Sequence, residues 1–399
     1  MIALLRLLPS ARCLFDEPVQ VKVEGLRSRQ VVTMKARSTD EKGVVFSSSA
    51  TYRADGSREI DLLRDPSLSG SYVGVEPMGL LWSMKADALH KKFQKPCALN
   101  PHVVKFSVHE EDREDRMLAE VTNERLLIGN GVSRVPVKGR NFQGVLFTPP
   151  EGPFPAVLDL CTLMCEKRAS LLANKGFVVL TWISSKLQSF NTKSLFYLHS
   201  PIPEVKNIKG VGIISRSKGG EIALSLAAFV PGVEAVVWIN GCSAVAGVPL
   251  YYKNQQIIPP IPFDLSKIIL TESGASMINY TLENPVAEKN KGSLVPIEQA
   301  KGRFLFVASE DDLCLNSKVY MEQIVERLKH HGKENFETMS YPGSGHMLEP
   351  PYGPYCTSSF HGVVPHVVLW GGEARTHAAA EVHLWSKIQE FFRTHLIKI

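Results

Sequence analysis

The sequence predicts an α/β protein of two domains, because its pattern of apolar residues changes once along the 399 positions. Between residues 18 and 108, short segments alternate apolar and polar residues, which is typical of an antiparallel β-sandwich. Beyond residue 145, short apolar segments alternate with helix-forming ones, which indicates a mostly parallel sheet covered on both faces. We therefore predict an N-terminal antiparallel β-sandwich over residues 1–140 and a C-terminal α/β domain over residues 141–399.

The N-terminal domain is predicted from its alternating strands and the turns between them. Val19, Val21 and Val23 alternate with polar residues, and Gly25 marks the first turn. Turn sequences such as Asp55-Gly-Ser57 separate further strands, predicted at residues 31–36, 43–48, 58–62, 72–75 and 103–108. No nucleophile and base are grouped in this half of the sequence, so we expect it to act as a support or lid.

The C-terminal domain is predicted from six apolar strands and four helices. The strands are expected at residues 155–160, 176–182, 211–214, 235–240, 304–308 and 336–341, and the helices at 166–174, 222–229, 317–330 and 373–396. In the last helix Ala380, Leu384 and Ile388 recur at helical spacing. Residues 135–144 are predicted to be a connector, and residues 247–289 an insertion over the sheet.

Composition and charge exclude several classes of protein. Apolar residues make up 44% and charged residues 21% of the chain, and the net charge of +5 is spread without a dense basic block, so no nucleic-acid partner is expected. No apolar run has the length of a membrane span. No cysteines and histidines share the spacing of metal ligands, so we predict neither a metal nor a cofactor. The oligomeric state is not readable from the sequence.

The seven scattered cysteines predict free thiols in a reducing compartment, which favours the cytoplasm. Residues 1–12 contain two arginines and no acidic residue, and so have some character of a mitochondrial presequence. We expect them to form a first strand or arm instead. The mitochondrion and the peroxisome are the alternative locations.

The segment Val211-Gly-Ile-Ile-Ser-Arg-Ser217-Lys-Gly-Gly220 has the layout of a nucleophile elbow, in which a serine occupies a sharp turn between a strand and a helix. Gly219 and Gly220 would let the helix begin close to the strand. The backbone N–H of Lys218 would then point at a developing oxyanion. Ser215 replaces the first glycine of the usual G-x-S-x-G pattern, and the pentapeptide alone also fits an ordinary helix cap.

An acid and a histidine follow this serine in the order that the elbow requires. Asp311 and Asp312 come directly after the strand predicted at 304–308, and His346 follows the strand at 336–341. Each alone also fits a helix cap or a surface histidine, but together they predict a catalytic triad at the carboxyl ends of the strands. Other histidines are expected to be surface or capping residues: His330, His331, His361, His366, His377, His383 and His395.

The chain resembles the type I acyl-CoA thioesterases, whose other branch is the bile acid-CoA:amino acid N-acyltransferases. The resemblance extends over nearly the whole sequence and includes Asp16-Glu-Pro-Val19, Val75-Glu-Pro-Met-Gly-Leu-Leu-Trp82, Arg168-Ala-Ser-Leu-Leu-Ala173, Ser217-Lys-Gly-Gly220, Tyr341-Pro-Gly-Ser-Gly-His346 and Trp370-Gly-Gly-Glu373. It implies a C-terminal α/β-hydrolase domain. It also implies a triad of Ser217, Asp312 and His346, with the backbone of Cys161 as the second oxyanion donor beside Lys218.

This resemblance implies a serine-dependent thioesterase that hydrolyses acyl-CoA to a fatty acid and CoA. The first alternative is an N-acyltransferase that conjugates glycine or taurine, since Ser215 and the sequence before His346 look more like that branch. The second alternative is a catalytically weakened member of the family. It is suggested by the loop at residues 161–167, which is shorter than usual and lacks glycine, and by the shortened segment 182–204.

Overall fold

In the computed structural model, the chain folds as two compact units. One consists of Met1–Gly129 with Glu349–Ser359, and the other of Asn130–Leu348 with Phe360–Ile399. The structure describes residues 3–111, 113–138, 143–160, 166–183, 189–190, 210–252, 255–362 and 364–397. The first unit therefore takes in a short segment from late in the sequence.

The first unit is the predicted β-sandwich. Its strands are β1 (Leu4–Leu8), β2 (Arg12–Leu14), β3 (Gln20–Glu24), β4 (Val31–Thr39), β5 (Val45–Arg53), β6 (Ile60–Asp61), β7 (Ser69–Gly70), β8 (Lys85–Ala86), β9 (His102–Glu110) and β10 (Arg113–Leu126), with one short helix, α1 (Gly79–Trp82). One sheet has the order β1-β3-β6. The other has the order β2-β10-β9-β4-β5-β7, with β8 beside β5. Neighbouring strands are antiparallel except for β2 and β10, which are parallel. In β4 and β5 alternate residues are buried, as the period of two requires.

Two expectations for individual elements were wrong, and one strand was not predicted. Residues 72–75 form no strand, because the Tyr72 side chain is buried at a turn, where its hydroxyl is 2.7 Å from that of Tyr52. Strand β10 was not predicted because polar residues, Asn123 and Arg125, occupy buried alternate positions, so its sequence lacks apolar alternation. The connector expected at 135–144 contains a strand, β11 (Ser133–Lys138), which pairs antiparallel with the next strand along the chain.

The second unit is built on an eight-stranded sheet. After β11, its strands are β12 (Gln143–Thr148), β13 (Ala156–Leu160), β14 (Val178–Ile183), β15 (Ser189–Phe190), β16 (Val211–Arg216), β17 (Val233–Ile239), β18 (Leu250–Tyr252), β19 (Gln255–Ile258), β20 (Ile269–Leu270), β21 (Ser276–Met277), β22 (Arg303–Ser309), β23 (Phe336–Tyr341), β24 (Ser358–Phe360), of which only Phe360 belongs to this unit, and β25 (Val367–Leu369). The large sheet has the order β11-β12-β14-β13-β16-β17-β22-β23. From β14 to β23 all neighbours are parallel, so their carboxyl ends share one edge.

Helices cover both faces of this sheet, as predicted. They are α2 (Lys167–Asn174), α3 (Gly219–Phe229), α4 (Ser317–His330) and α5 (Ala374–Leu396). Gly212 and Ile213 are successive residues of β16 and so face opposite sides. A Cβ atom on Gly212 would lie within 3 Å of Leu396 and Phe392 of α5, whereas Ile213 shares a buried cluster with Leu224 of α3.

Residues 247–289 consist of short pieces, as expected from their lack of a period. They contain strands β18 to β21 and a single-turn 3-10 helix, Leu265–Lys267. Two more 3-10 helices are Glu288–Ser293, which begins at the end of this range, and Ile297–Gln299. Within the described ranges, no helix is long and apolar enough to cross a membrane. Over the same residues, no three side chains of histidine, cysteine, aspartate or glutamate are grouped so as to hold a metal ion.

Candidate active site

Ser217 occupies the turn between β16 and α3 in a left-handed conformation, with a φ of 55°. Such a φ is uncommon for a residue with a side chain and is typical of the strained serine in a nucleophile elbow. The residue is half-buried, and its N–H donates to the carbonyl of Ile239 at 3.0 Å. The turn is therefore fixed against the end of the neighbouring strand β17.

The two glycines after the serine are required by close packing, as the sequence predicts. A Cβ atom on Gly219 would lie 2.6 Å from the carbonyl oxygen of Leu160, and one on Gly220 would lie 2.7 Å from the indole nitrogen of Trp238. Neither position has room for a side chain. Because Leu160 is the last residue of β13, the first turn of α3 lies directly against the end of that strand.

Asp312 and His346 are brought together at the ends of β22 and β23. The Nδ1 atom of His346 is 2.8 Å from Oδ2 of Asp312, and both side chains are about 1% exposed. The other carboxylate oxygen accepts the backbone N–H groups of Cys314 and Leu315, each at 2.9 Å. A carboxylate accepts hydrogen bonds, so it favours the histidine tautomer with the proton on Nδ1 and a free lone pair on Nε2. Asp311 is exposed instead.

The imidazole of His346 also stacks on Trp370. Their ring centroids are 5.6 Å apart with an interplanar angle of 16°, and the N–H of His346 donates to the Trp370 carbonyl at 2.7 Å. His361 stacks on the same indole at 5.5 Å. Burial lowers the pKa of His361 to about 4, with a further contribution from His346, so this second imidazole is neutral at physiological pH.

Two buried residues that support the histidine loop were not found from the sequence. Asn240 is fully buried at the end of β17, and its side-chain nitrogen donates to the carbonyl of His346 at 3.0 Å. The N–H of Ser217 donates to the carbonyl of Ile239, the residue before Asn240. The elbow and the histidine loop are therefore both held at the end of β17. His377, expected at the surface, is only 4% exposed and contacts both neighbours of His346. An asparagine as the last residue of a predicted strand was the available signal for Asn240.

The Lys218 side chain lies in a buried ion pair beside the elbow. Its ammonium contacts Glu221 and donates to the carbonyl of Ala246 at 2.5 Å, and the second oxygen of Glu221 accepts the Ala246 N–H at 3.1 Å. Burial raises the pKa of Glu221 to about 7, and the Lys218 charge opposes that rise. The backbone N–H of Lys218 lies at the start of α3, where the first N–H groups have no partner within the helix.

The second expected oxyanion donor, Cys161, lies outside the described residues, as do the rest of loop 161–165 and most of the shortened segment 182–204. The residues on either side of that loop form two ion pairs. Nε of Arg168 is 3.1 Å from both oxygens of Asp159, and Arg134 makes two hydrogen bonds to Glu166, at 2.8 and 2.6 Å. The first pair joins strand β13 to helix α2. The second joins strand β11 to Glu166, the residue before α2.

The chain is similar to known proteins over nearly its full length. Residues 16–139 match the family described as "Acyl-CoA thioester hydrolase/BAAT N-terminal region", and residues 188–398 match "BAAT / Acyl-CoA thioester hydrolase C terminal". It is 40% identical to human "Acyl-coenzyme A thioesterase 1", with 99% of this chain and 97% of that protein aligned. It is also 40% identical to human "Acyl-coenzyme A thioesterase 2, mitochondrial", over 99% of this chain and 85% of that protein.

Proposed function

Because the chain belongs to the acyl-CoA thioester hydrolase/BAAT family, we propose that it is a serine-dependent thioesterase that hydrolyses fatty acyl-CoA to a fatty acid and CoA. The observation that carries the proposal is the buried hydrogen bond between His346 and Asp312, at the sheet edge where Ser217 occupies its strained turn. A serine hydroxyl needs such a base, and the base needs an orienting carboxylate.

In the proposed reaction, the Ser217 hydroxyl attacks the thioester carbonyl carbon while Nε2 of His346 takes its proton. Asp312 stabilises the resulting imidazolium. The carbon–sulfur bond then breaks, CoA leaves with the proton from His346, and an ester remains on Ser217. Water next attacks that ester with His346 again as the base, which releases the fatty acid and restores the serine.

We assign the oxyanion of each tetrahedral intermediate to the backbone N–H of Lys218 and, from the family resemblance, to that of Cys161. One such donor contributes about 3–4 kcal/mol to lowering the barrier. The short, glycine-free loop that begins at Cys161 supports the alternative of a slow member of the family, because loss of one donor would lower the rate by on the order of 100- to 1000-fold.

The second candidate function is transfer of the acyl group to the amine of glycine or taurine. Ser215, in the first elbow position, favours this branch; it is fully buried, and its hydroxyl donates to the carbonyl of Val237 at 3.2 Å. The same acyl-enzyme would form, and an amine would replace water in the second step. Product analysis with and without added glycine or taurine separates the two reactions, since only the transferase yields an amide.

The proposed location is the cytoplasm, with the mitochondrion and the peroxisome as alternatives. All five cysteines of the described residues are free thiols, which agrees with a reducing compartment: Cys13, Cys97, Cys242, Cys314 and Cys356. Fractionation of cells that express the full chain tests this proposal. Enrichment with mitochondrial or peroxisomal markers would contradict it.

The role of Ser217 is tested by trapping the acyl-enzyme. Mass spectrometry after brief mixing with an acyl-CoA should detect an acyl adduct on the parent protein and none on Ser217→Ala. Ser215→Ala is the matched control, because that hydroxyl lies two residues away and is buried. It should keep the adduct. An adduct that persists in Ser217→Ala would show that another residue is the nucleophile.

A further inference from the structure

The backbone around His346 is held from two sides by side chains outside the triad. From the end of β17, Nδ2 of Asn240 donates to the carbonyl of His346 at 3.0 Å and approaches that of Gly345 at 3.4 Å. From α5, the imidazole of His377 contacts the N–H of Gly345 at 3.0 Å and the carbonyl of Met347 at 3.2 Å. All of these residues belong to the second unit.

The orientation of the Asn240 amide is fixed by its other bonds. Its Oδ1 atom accepts the N–H of Ser309 at 2.7 Å, and since that N–H can only donate, Nδ2 must face the two carbonyls of the histidine loop. The Asn240 N–H itself donates to Val307 at 2.9 Å. With a φ of 46°, Asn240 adopts a left-handed turn that asparagine tolerates better than most residues. Strands β17 and β22 therefore hold this amide rigidly.

The tautomer of His377 is fixed in the same way. The Gly345 N–H donates to Nδ1, so that nitrogen carries no proton and the proton lies on Nε2. The Nε2–H can then donate to the Met347 carbonyl, with a carboxylate oxygen of Glu381 also near it at 3.4 Å. A neutral imidazole of this tautomer bonds to the residue before and the residue after His346 at once.

We propose that Asn240 and His377 are positioning residues that together fix residues 345–347 and so aim Nε2 of His346 at the Ser217 hydroxyl. For its effect on catalysis this inference rests on the proposed function. Asp312 fixes one ring nitrogen, and Trp370 contacts one ring face and accepts the His346 N–H, but neither holds the backbone carbonyl of His346 or the residues on both sides of it. A shift of about 1 Å in a catalytic group can lower the rate about 100-fold, so the backbone contacts are expected to matter for chemistry.

Two substitutions of His377 and one of Asn240 test the proposal. His377→Phe keeps a ring but removes both hydrogen bonds, whereas His377→Gln keeps an acceptor and a donor. Asn240→Gly removes the amide without straining the positive φ, and so tests the inference even where His377→Phe fails to fold. The matched control is His383→Phe, a change on the same helix at an exposed histidine whose ring bonds to the Tyr341 hydroxyl.

With an acyl-CoA as substrate, His377→Phe and Asn240→Gly should lower kcat by about 100-fold with little change in KM. His377→Gln should recover much of the loss, and His383→Phe should match the parent. In a His346→Ala background, His377→Phe should cause no further loss, because its effect acts through the base. A kcat equal to that of the parent in both variants would overturn the inference.

A second measurement does not depend on activity. The proton between His346 and Asp312 is buried, so it should give a downfield proton NMR signal, identified by its loss in His346→Ala. That signal should weaken or vanish in His377→Phe and Asn240→Gly and persist in His383→Phe. If the parent protein cleaves no acyl-CoA, the proposed function fails, but this signal still decides the inference: retention in both variants overturns it, and loss supports it.

Discussion

Asp312 and Asp311 are adjacent carboxylates with opposite surroundings. Asp312 is buried and accepts the Nδ1–H of His346 together with the Ser317 hydroxyl at 2.9 Å, whereas Asp311 is exposed and donates its backbone N–H to the Ser344 carbonyl. Only Asp312 is placed to stabilise the imidazolium of His346. The two residues therefore form a matched pair for testing the assignment of the acid.

We expect Asp312→Asn to lower kcat by about 1,000- to 10,000-fold, because an amide can donate to Nδ1 and so favours the wrong tautomer of His346. Asp311→Asn, one residue away, should leave kcat nearly unchanged. Steady-state cleavage of an acyl-CoA by both variants provides the comparison. A larger loss in Asp311→Asn would mean that the acid is misassigned.

At the scale of single residues, type and order predicted Ser217, an acid at 311 or 312 and His346, and the family resemblance selected Asp312. Ser217, Asp312 and His346 each follow a strand, and such positions converge at one sheet edge. Asn240 and His377 could not be found in this way, because their contacts are to backbone atoms distant in sequence. A histidine on an amphipathic helix has the same pattern whether it lies in solvent or, as His377 does, under a loop.

At the scale of elements, long periodic segments were predicted accurately and irregular ones were not. Helix α4 and strand β23 have the predicted bounds, because apolar residues recur in α4 and the strand directly follows a turn. Strand β10 lacks apolar alternation because its alternate buried positions include the polar residues Asn123 and Arg125. At residues 72–75 only Tyr72 is buried, while Val73 and Val75 are exposed, so the apolar residues there do not mark the buried face of a strand.

The junction of β16 and α3 depends on the absence of a side chain at Gly219. In Gly219→Ala the new Cβ atom would lie 2.6 Å from a backbone oxygen of β13, which cannot move without disturbing the sheet. We expect a loss of about 1–3 kcal/mol in the free energy of unfolding. Acyl-adduct formation on Ser217 should slow as well, because the turn must shift.

The control for this change is Gly292→Ala, where a Cβ atom has no neighbour within 4 Å. It should be neutral or slightly stabilising, since alanine restricts the unfolded chain more than glycine does. Urea denaturation of the parent and both variants measures the difference. Equal stability of Gly219→Ala and the parent would mean that the start of α3 can move away from β13 at no cost.

At the scale of the whole molecule, the second unit buries several charged groups, and one of them makes its stability depend on pH. The carboxyl of Glu221 has a pKa raised from 4.5 to about 7, because burial disfavours its ionised form more than Lys218 favours it. Between pH 4.5 and 7 the native state retains this proton while the unfolded state has released it. The free energy of unfolding therefore falls as pH rises through this window, and this contribution is constant above pH 7.

Glu221→Gln should remove this dependence, since glutamine does not titrate. Relative to the parent, the unfolding free energy of the variant should increase by about 3 kcal/mol between pH 4.5 and 7.5, whatever constant offset the lost ion pair adds. Chemical denaturation across that range measures the difference.

Glu310→Gln is the control. Glu310 bonds to Lys318 at the surface, which lowers its pKa, so the unfolding free energy of this variant relative to the parent should not increase between pH 4.5 and 7.5. Parallel stability curves for Glu221→Gln and the parent would mean that Lys218 keeps Glu221 ionised in the folded protein, and that the buried pair is charged at every pH in the range.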